Sequence, residues 1–345
     1  MARLRGLAAL ALASLVPGCS SEYPGFGNSN PTLPIRPGSS LLFAGNGFAA
    51  RGGSPRELFS AEETGASVSR LTFCSNSRPC DIAEGAPAPD RNRVAIRRIT
   101  DSDSDGRLTA ADGASLVVAN MSRSEESTLI LPGEVVTAVD WSPVSDILVF
   151  VATGEGGLED MWRIDSTGQN RGNLTQTALV AERRPRIDPS GAVAVFERVD
   201  ETGKGQIYIY VSSVNQVQVT TGGPGTERLA GTPYVVGGDT DPDYSPDGTS
   251  IVFRRLTGTG NGGLGTWDIM TVRSDGTALT SIATGPAFRG APDWGPLGIV
   301  FPEIDRGTGG GARLVLVAPD GSGRRTPVTL GPAFDLSHPR WLVAE

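Results

Sequence analysis

Histidine occurs once in 345 residues, at His338, and lysine once, at Lys204. A single imidazole excludes histidine-cluster metal sites and leaves one candidate for every mechanism that needs an imidazole base. No G-x-S-x-G nucleophile elbow, HExxH helix, P-loop or dinucleotide fingerprint is present, so hydrolase, metalloprotease and nucleotide chemistries have no motif here. Basic residues number 30 against 38 acidic ones, a formal net charge of −8, and nucleic acid is not expected as a partner. Glycine and proline, by contrast, are abundant. The 46 Gly and 25 Pro make up about a fifth of the chain, against a usual ~12%. That argues against an all-α fold. Hydrophobic residues at 38% still provide ample side chains to bury, so the excess marks frequent turns in a large β fold rather than disorder.

Residues 1–19 read as a targeting segment, with Arg3 and Arg5 as a positive start and an apolar stretch from Gly6 to Val16. Eleven helical residues span roughly 16 Å, whereas a bilayer core needs about 30 Å, so this is a signal and not a span. Leu15-Val16-Pro17-Gly18-Cys19 resembles the lipobox of bacterial lipoproteins. The resemblance implies cleavage before Cys19 and lipid on its sulfur; the alternative is ordinary secretion with Cys19 discarded. Two or more acyl chains would hold the protein stably on a membrane. The expected location is the periplasm or the outer cell surface. Loss of Arg3 and Arg5 would move the net charge to −10. Residues 20–38, mostly Ser, Asn, Pro and Gly, are expected to form a flexible tether, and residues 39–345 one repetitive domain. In an exported chain Cys74 and Cys80 are expected to form a disulfide, contributing roughly 2.4 kcal/mol on the chain-entropy model. Two reduced buried thiols are the alternative.

One unit recurs along the domain. Asp140-Trp141-Ser142-Pro143 leads to Ile147-Leu148-Val149-Phe150, Arg186-Ile187-Asp188-Pro189 to Val193-Ala194-Val195-Phe196, and Asp243-Tyr244-Ser245-Pro246-Asp247-Gly248 to Ile251-Val252-Phe253. Asp293-Trp294 leads to Ile299-Val300-Phe301, Arg340-Trp341 comes near the end, and Pro87-Ala88-Pro89 with Val94-Ala95-Ile96 is a degenerate first copy. The spacing, roughly 50 residues, is that of one four-stranded propeller blade. Alternating third strands such as 161–164, 207–210, 268–272 and 314–317 follow, and then Asp-Gly turns. The last anchor has too few residues after it to complete a blade. Leu41–Ala44, Glu57–Ser60 and Ser69–Phe73 read as the missing strands. The expectation is an all-β, six-bladed β-propeller of four-stranded blades, closed by pairing N-terminal strands with the C-terminal strand, which removes exposed sheet edges.

The unit Pro-Asp-Tyr-Ser-Pro-Asp-Gly-Thr-Ser-Ile-Val-Phe, residues 242–253, resembles the propeller repeat of the TolB family, and the likeness runs over roughly residues 40–345. It implies the propeller fold; TolB also has an α/β domain ahead of its propeller, for which residues 20–40 leave no room. Similar repeats occur in propellers attached to peptidases and in oligogalacturonate lyases.

Asp101, Asp103, Asp105 and Asp112 occupy positions 1, 3, 5 and 12 of a loop with Gly106 at position 6, and Arg107 at position 7 would offer its carbonyl. This arrangement wraps oxygen ligands around calcium (Ca²⁺), which would relieve the mutual repulsion of the carboxylates. The alternative is a solvated acidic turn. Strand-like flanks put the loop between second and third strands of a blade. Ala88, Asp140, Arg186, Asp243, Asp293 and Arg340 precede their anchors, and the charged ones with His338 either line a channel mouth or hydrogen-bond neighbouring blades together. The functional expectation is a non-catalytic scaffold binding a protein or ligand of the cell envelope; the alternatives are a propeller enzyme such as a saccharide lyase using calcium, His338 and arginines, or a purely structural envelope protein. A partner is expected on the face that carries residues 101–112, opposite the Pro-Asp-Gly turns.

Overall fold

A computed structural model of the chain describes residues 40–46, 56–65, 67–72, 80–102, 112–121, 125–130, 135–153, 157–223, 226–228, 235–258, 265–304, 311–329 and 336–342, with a few single positions between them. Cys19, Asp103, Asp105 and Arg107 lie outside the described residues. Among the described residues there is no α-helix, and no helix is long and apolar enough to cross a membrane.

The strands, numbered in chain order, form antiparallel sets. β1 (Leu41–Gly45), β2 (Glu57–Ala61) and β3 (Ser69–Arg70) lie beside the last strand, β26 (Leu336–Trp341), in the order β26-β1-β2-β3. Leu41 pairs with Trp341 and Leu42 with Arg340, so the first and last strands share one sheet. β4 (Cys80–Pro87), β5 (Arg93–Thr100), β6 (Ser115–Asn120) and β7 (Glu125–Ile130) form the next set, followed by β8 (Ala138–Trp141), β9 (Ile147–Thr153), β10 (Glu159–Asp165) and β11 (Gly172–Asn173). β12 (Ala181–Ile187), β13 (Ala194–Val199), β14 (Lys204–Ser212) and β15 (Asn215–Gln218) come next, then β16 (Thr226–Arg228) paired to β17 (Val235–Tyr244), with β18 (Ser250–Gly258), β19 (Thr266–Arg273) and β20 (Thr280–Ala283). Only a short parallel contact, Lys204 and Gly205 with Gly237 and Gly238, joins these two sets into one sheet. The final set has β21 (Phe288–Arg289) and β22 (Asp293–Gly295) both paired to β23 (Gly298–Ile304), then β24 (Arg313–Val317) and β25 (Arg325–Thr329).

The turn after each inner strand explains the regularity. Ser245 donates its N–H to Ser250 O and Gly248 to Ser245 O, while Asp247 Oδ1 accepts from the hydroxyls of Ser245 and Thr249. Gly248 sits at φ +70°, a conformation that disfavours any side chain, so the Pro-Asp-Gly sequence is what reverses the chain here. Every second strand is covered on both faces, which is why it reads as a continuous apolar run instead of an alternating one. Phe43, Ile96, Phe150, Phe196, Phe253 and Phe301 occupy the same place in their second strands and are at most 1% exposed. Burying each contributes about 2–3 kcal/mol.

Among the described residues the core is divided into several clusters. Apolar clusters lie between consecutive sheets: Leu42, Leu58 and Ile82 between the β1 and β4 sets, then Ala86 with Phe150, Met161 with Phe196, Ile207 with Phe253, and Val252 with Phe301. Phe43 with Leu314 then joins the last set back to the first. The inner strands repeat this order, with β4 packed on β8, β8 on β12, β12 on β17, β17 on β22, β22 on β26 and β26 on β4.

Candidate functional site: the junction of the inner strands

Strand register brings Ala86, Asp140, Arg186, Asp243, Asp293 and Arg340 to equivalent inner-strand positions, opposite Ala95, Val149, Val195, Val252, Val300 and Leu42. Two residues earlier come Glu84, Arg184, Asp241 and His338. The last three adopt φ of +52°, +52° and +47°, and each is followed by a proline, Pro185, Pro242 or Pro339. Proline has no N–H for the sheet ladder. Pairing therefore breaks at these points in a β-bulge, and the bulge turns the charged residue before it toward the junction.

The charges meet there and neutralise one another. Arg340 Nη2 donates to Glu84 Oε1 at 2.9 Å and to Val139 O at 3.0 Å, while its Nη1 lies 3.2 Å from Asp140 and 3.6 Å from Asp293. Arg186 Nη1 is 3.4 Å from Glu84, and its Nε is 3.8 Å from Asp243. Asp241 pairs with Arg184 at 3.3 Å and with Arg254. The same aspartates also tie neighbouring sheets: Asp140 Oδ2 accepts the Ile187 N–H at 2.8 Å, Asp243 Oδ2 the Trp294 N–H at 2.6 Å, and Asp293 Oδ2 the Trp341 N–H at 2.7 Å. Of the two alternatives open in the sequence, these three carboxylates make the inter-sheet hydrogen bonds and face the junction as well.

Burial alone would push the Glu84 carboxyl up, but the Arg340, Arg186 and Arg184 guanidinium groups around it hold it below the usual carboxylate range. Burial and the Asp293 carboxylate push Asp243 well up, and burial raises Asp293 too. His338 is driven down to about 3 by burial, with Arg184 and Arg97 adding to it, so the imidazole is neutral at ordinary pH. Arg184 Nη1 lies 3.3 Å from its Nε2, and Nδ1 is buried without a hydrogen-bond partner. The one imidazole is thus neither a base poised near neutrality nor paired to a nucleophile.

A cavity of about 480 Å³ opens at the anchor ends of the inner strands, among the proline-bearing turns. Trp141, Tyr244, Trp294 and Trp341 contribute walls, Pro89, Pro143, Pro189, Pro246 and Pro296 the rim, and Asp140, Asp243, Asp293 and Arg340 the polar floor. An apolar funnel with a few fixed polar groups at its base is suited to receiving a projecting side chain or an extended segment. Arg186 and His338 are absent from its lining.

Elsewhere, Cys74 and Cys80 are joined in a disulfide, with Cα atoms 5.3 Å apart. The acidic loop connects β5 to β6. Of its expected ligands, Asp101 and Asp112 are described, and Ser102 donates its N–H to Asp112 Oδ1 at 2.8 Å, which draws the two ends of the loop together. Among the described residues no three His, Cys, Asp or Glu side chains converge as a metal site. Glu84 is the junction residue that the repeat alone misses: placing Ala88 as the equivalent of Asp140 is two residues out of register, because Ala86 and not Ala88 pairs with Ala95.

No protein-family model matches the chain, and no curated protein does. Among solved structures, TolB from Acinetobacter baumannii superposes with a TM-score of 0.62 at 16% identity, over 88% of this chain and 66% of that one. The putative TolB from Agrobacterium tumefaciens gives 0.58 at 15% identity, over 89% of this chain and 99% of that one. A chain of a nidogen/laminin complex gives 0.58 at 13% identity, over 89% and 99%. At such identities the likeness is one of fold: the chain shares the β-propeller fold of these proteins.

Proposed function

We propose that this protein is a non-catalytic cell-envelope lipoprotein whose six-bladed propeller docks a protein or ligand in the funnel at the junction of its inner strands. The observation that carries the reading is the 480 Å³ cavity with aromatic and proline walls over Asp140, Asp243, Asp293 and Arg340. The six-bladed count and its closure are supported by the cyclic order of inner-strand packing and by the Leu41–Trp341 pairing. The non-catalytic part is supported by the Arg340–Glu84 ion pair at the junction and by a neutral, buried His338. Lipid on Cys19 would hold the propeller on a membrane at the end of a short tether, and calcium between Asp101 and Asp112 would stiffen the loop between β5 and β6. Solved structures with this fold include TolB proteins and a chain of a nidogen/laminin complex, which favours a protein partner. The cavity lies among the Pro-Asp-Gly turns, and for that reason we assign docking to this face and not to the face of the acidic loop.

The test is capture from envelope extracts in calcium. Val144 lies on the funnel wall and is 62% exposed, so Val144→Arg blocks the opening without touching the core. Thr202, in the turn between β13 and β14, is the control site. Capture lost with Val144→Arg and kept with Thr202→Arg supports the reading. Capture that ignores Val144→Arg and fails with Thr202→Arg moves the site to the other face.

A further inference from the structure

A second cavity, of about 410 Å³, lies away from the junction, between β20 and β21 on one side and β23 and β24 on the other. Three arginines meet in it. Arg289 is buried and fully oriented: Nη1 donates to Trp267 O at 2.9 Å and to Gly285 O at 3.1 Å, Nη2 to Thr284 O at 2.6 Å, and Nε to Glu303 Oε2 at 3.1 Å. Arg313 Nε donates to Glu303 Oε1 at 3.1 Å, and Arg324 Nη2 donates to the same oxygen at 2.6 Å. One carboxylate therefore serves three guanidinium groups. The next acid among the described residues, Asp268, is 3.8 Å from Arg289, so the described cluster of three arginines and two carboxylates carries one excess positive charge.

Glu303 Oε1 is already crowded with donors, and among the described residues the remaining N–H groups of Arg313 and Arg324 meet no further acceptor. Both side chains line the cavity, and about a third or more of each is exposed. Arginine keeps its charge at any ordinary pH and presents paired donors that match a carboxylate in two-point contact. The remaining walls, Ile282, Ala283, Pro286, Ala287 and Val317, are apolar. They favour an anion with a short aliphatic body over a bare inorganic ion, whose hydration the walls cannot replace.

We propose that this cavity is a binding site for a monoanionic carboxylate bearing a short aliphatic group, held by Arg313 and Arg324 against the fixed Arg289–Glu303 pair. The carboxylate can belong to a free small acid or to the C-terminus of a peptide.

Nuclear magnetic resonance titration of the full exported chain at low salt tests this with four probes: isovalerate, N-acetyl-Gly-Leu with a free C-terminus, its C-terminal amide, and inorganic phosphate. Resonances of the β20–β24 region should move with isovalerate at a Kd of about 1 mM, and not with the amide. Shifts with the acetylated dipeptide tighter than with isovalerate identify a peptide terminus as the source; the reverse identifies a free acid. Arg324→Gln should weaken binding about tenfold, and Arg324→Lys should restore part of it. Arg324 is on the rim, so these variants keep the fold, which the unchanged dispersion of the other resonances will verify. Phosphate bound more tightly than isovalerate, equal binding of acid and amide, or affinity indifferent to Arg324→Gln would each overturn the proposal. So would the absence of any shift with either acid.

Discussion

Arg340 and Glu84 are 256 residues apart in the chain and 2.9 Å apart in space, Nη2 donating to Oε1. The bond joins the last strand of the protein to β4, and it is desolvated on both sides, with Glu84 1% and Arg340 3% exposed. A buried ion pair of this kind contributes little over an apolar pair of the same shape, but losing one partner strands the other charge in a dry interior. Here two arginines would be stranded, since Arg186 also leans on Glu84.

Glu84→Gln should therefore destabilise the fold by about 3 kcal/mol, read as a lower urea midpoint at neutral pH. Replacing both ends, Glu84→Gln with Arg340→Met, should recover part of that loss. A Glu84→Gln midpoint equal to that of the unmodified protein would mean that Asp140 and Asp293 suffice for Arg340.

Calcium should stabilise the protein through the loop that ends at Asp112. At a dissociation constant of roughly 10⁻⁴ M, usual for extracellular loops of this type, about 2 mM Ca²⁺ adds about 1.8 kcal/mol by mass action. Asp103→Ala should abolish the gain. Equal melting temperatures in calcium and in chelator would return the loop to a solvated acidic turn.

Much of the fold was legible because the anchors repeat. Pro242-Asp243-Tyr244-Ser245-Pro246-Asp247-Gly248 encodes the end of an inner strand, its bulge and its turn in seven residues, and β17, the turn and β18 follow as the repeat implies. The strand at 41–45 beside the one ending at Trp341 was legible for the same reason, since the last anchor lacked its companions. Glu84 was not legible. Ala86-Pro87 and Ala88-Pro89 offer the same dipeptide twice, and only pairing to Val94-Ala95-Ile96 selects the first. A second signal lies in Leu71-Thr72, Leu174-Thr175 and Val219-Thr220. These threonine hydroxyls accept the backbone N–H of Leu58, Met161 and Ile207 at 2.9, 3.0 and 3.1 Å, tying the outermost strand to the third. The cluster of Arg289, Arg313 and Arg324 could not be read at all, because it assembles from three separate segments that share no motif.

The last prediction concerns pH. Burial pushes Glu57 up to about 7 despite Arg70, and burial with the neighbouring Asp241 carboxylate pushes Glu197 up to about 7. Each keeps its proton in the folded protein at a pH where the unfolded chain has already lost it, so folding is favoured at low pH and stability falls as pH rises from about 4.5 to about 7. His338 acts in the opposite sense. Its folded value of about 3 lies below the ordinary imidazole value, so the unfolded chain holds the extra proton between about 3 and 6.5 and stability rises with pH there. The raised Asp243 and Asp293 carboxyls act in the same sense as the two glutamates, so against one histidine they leave a net fall between pH 5 and 7 of at least about 1 kcal/mol per pH unit. Urea midpoints at pH 5, 6, 7 and 8 should therefore decline to about pH 7 and then level off. Glu57→Gln with Glu197→Gln should make the decline shallower, and His338→Asn alone should steepen it. A midpoint that rises with pH across this window in the unmodified protein would show that both glutamates ionise at ordinary values in the folded state.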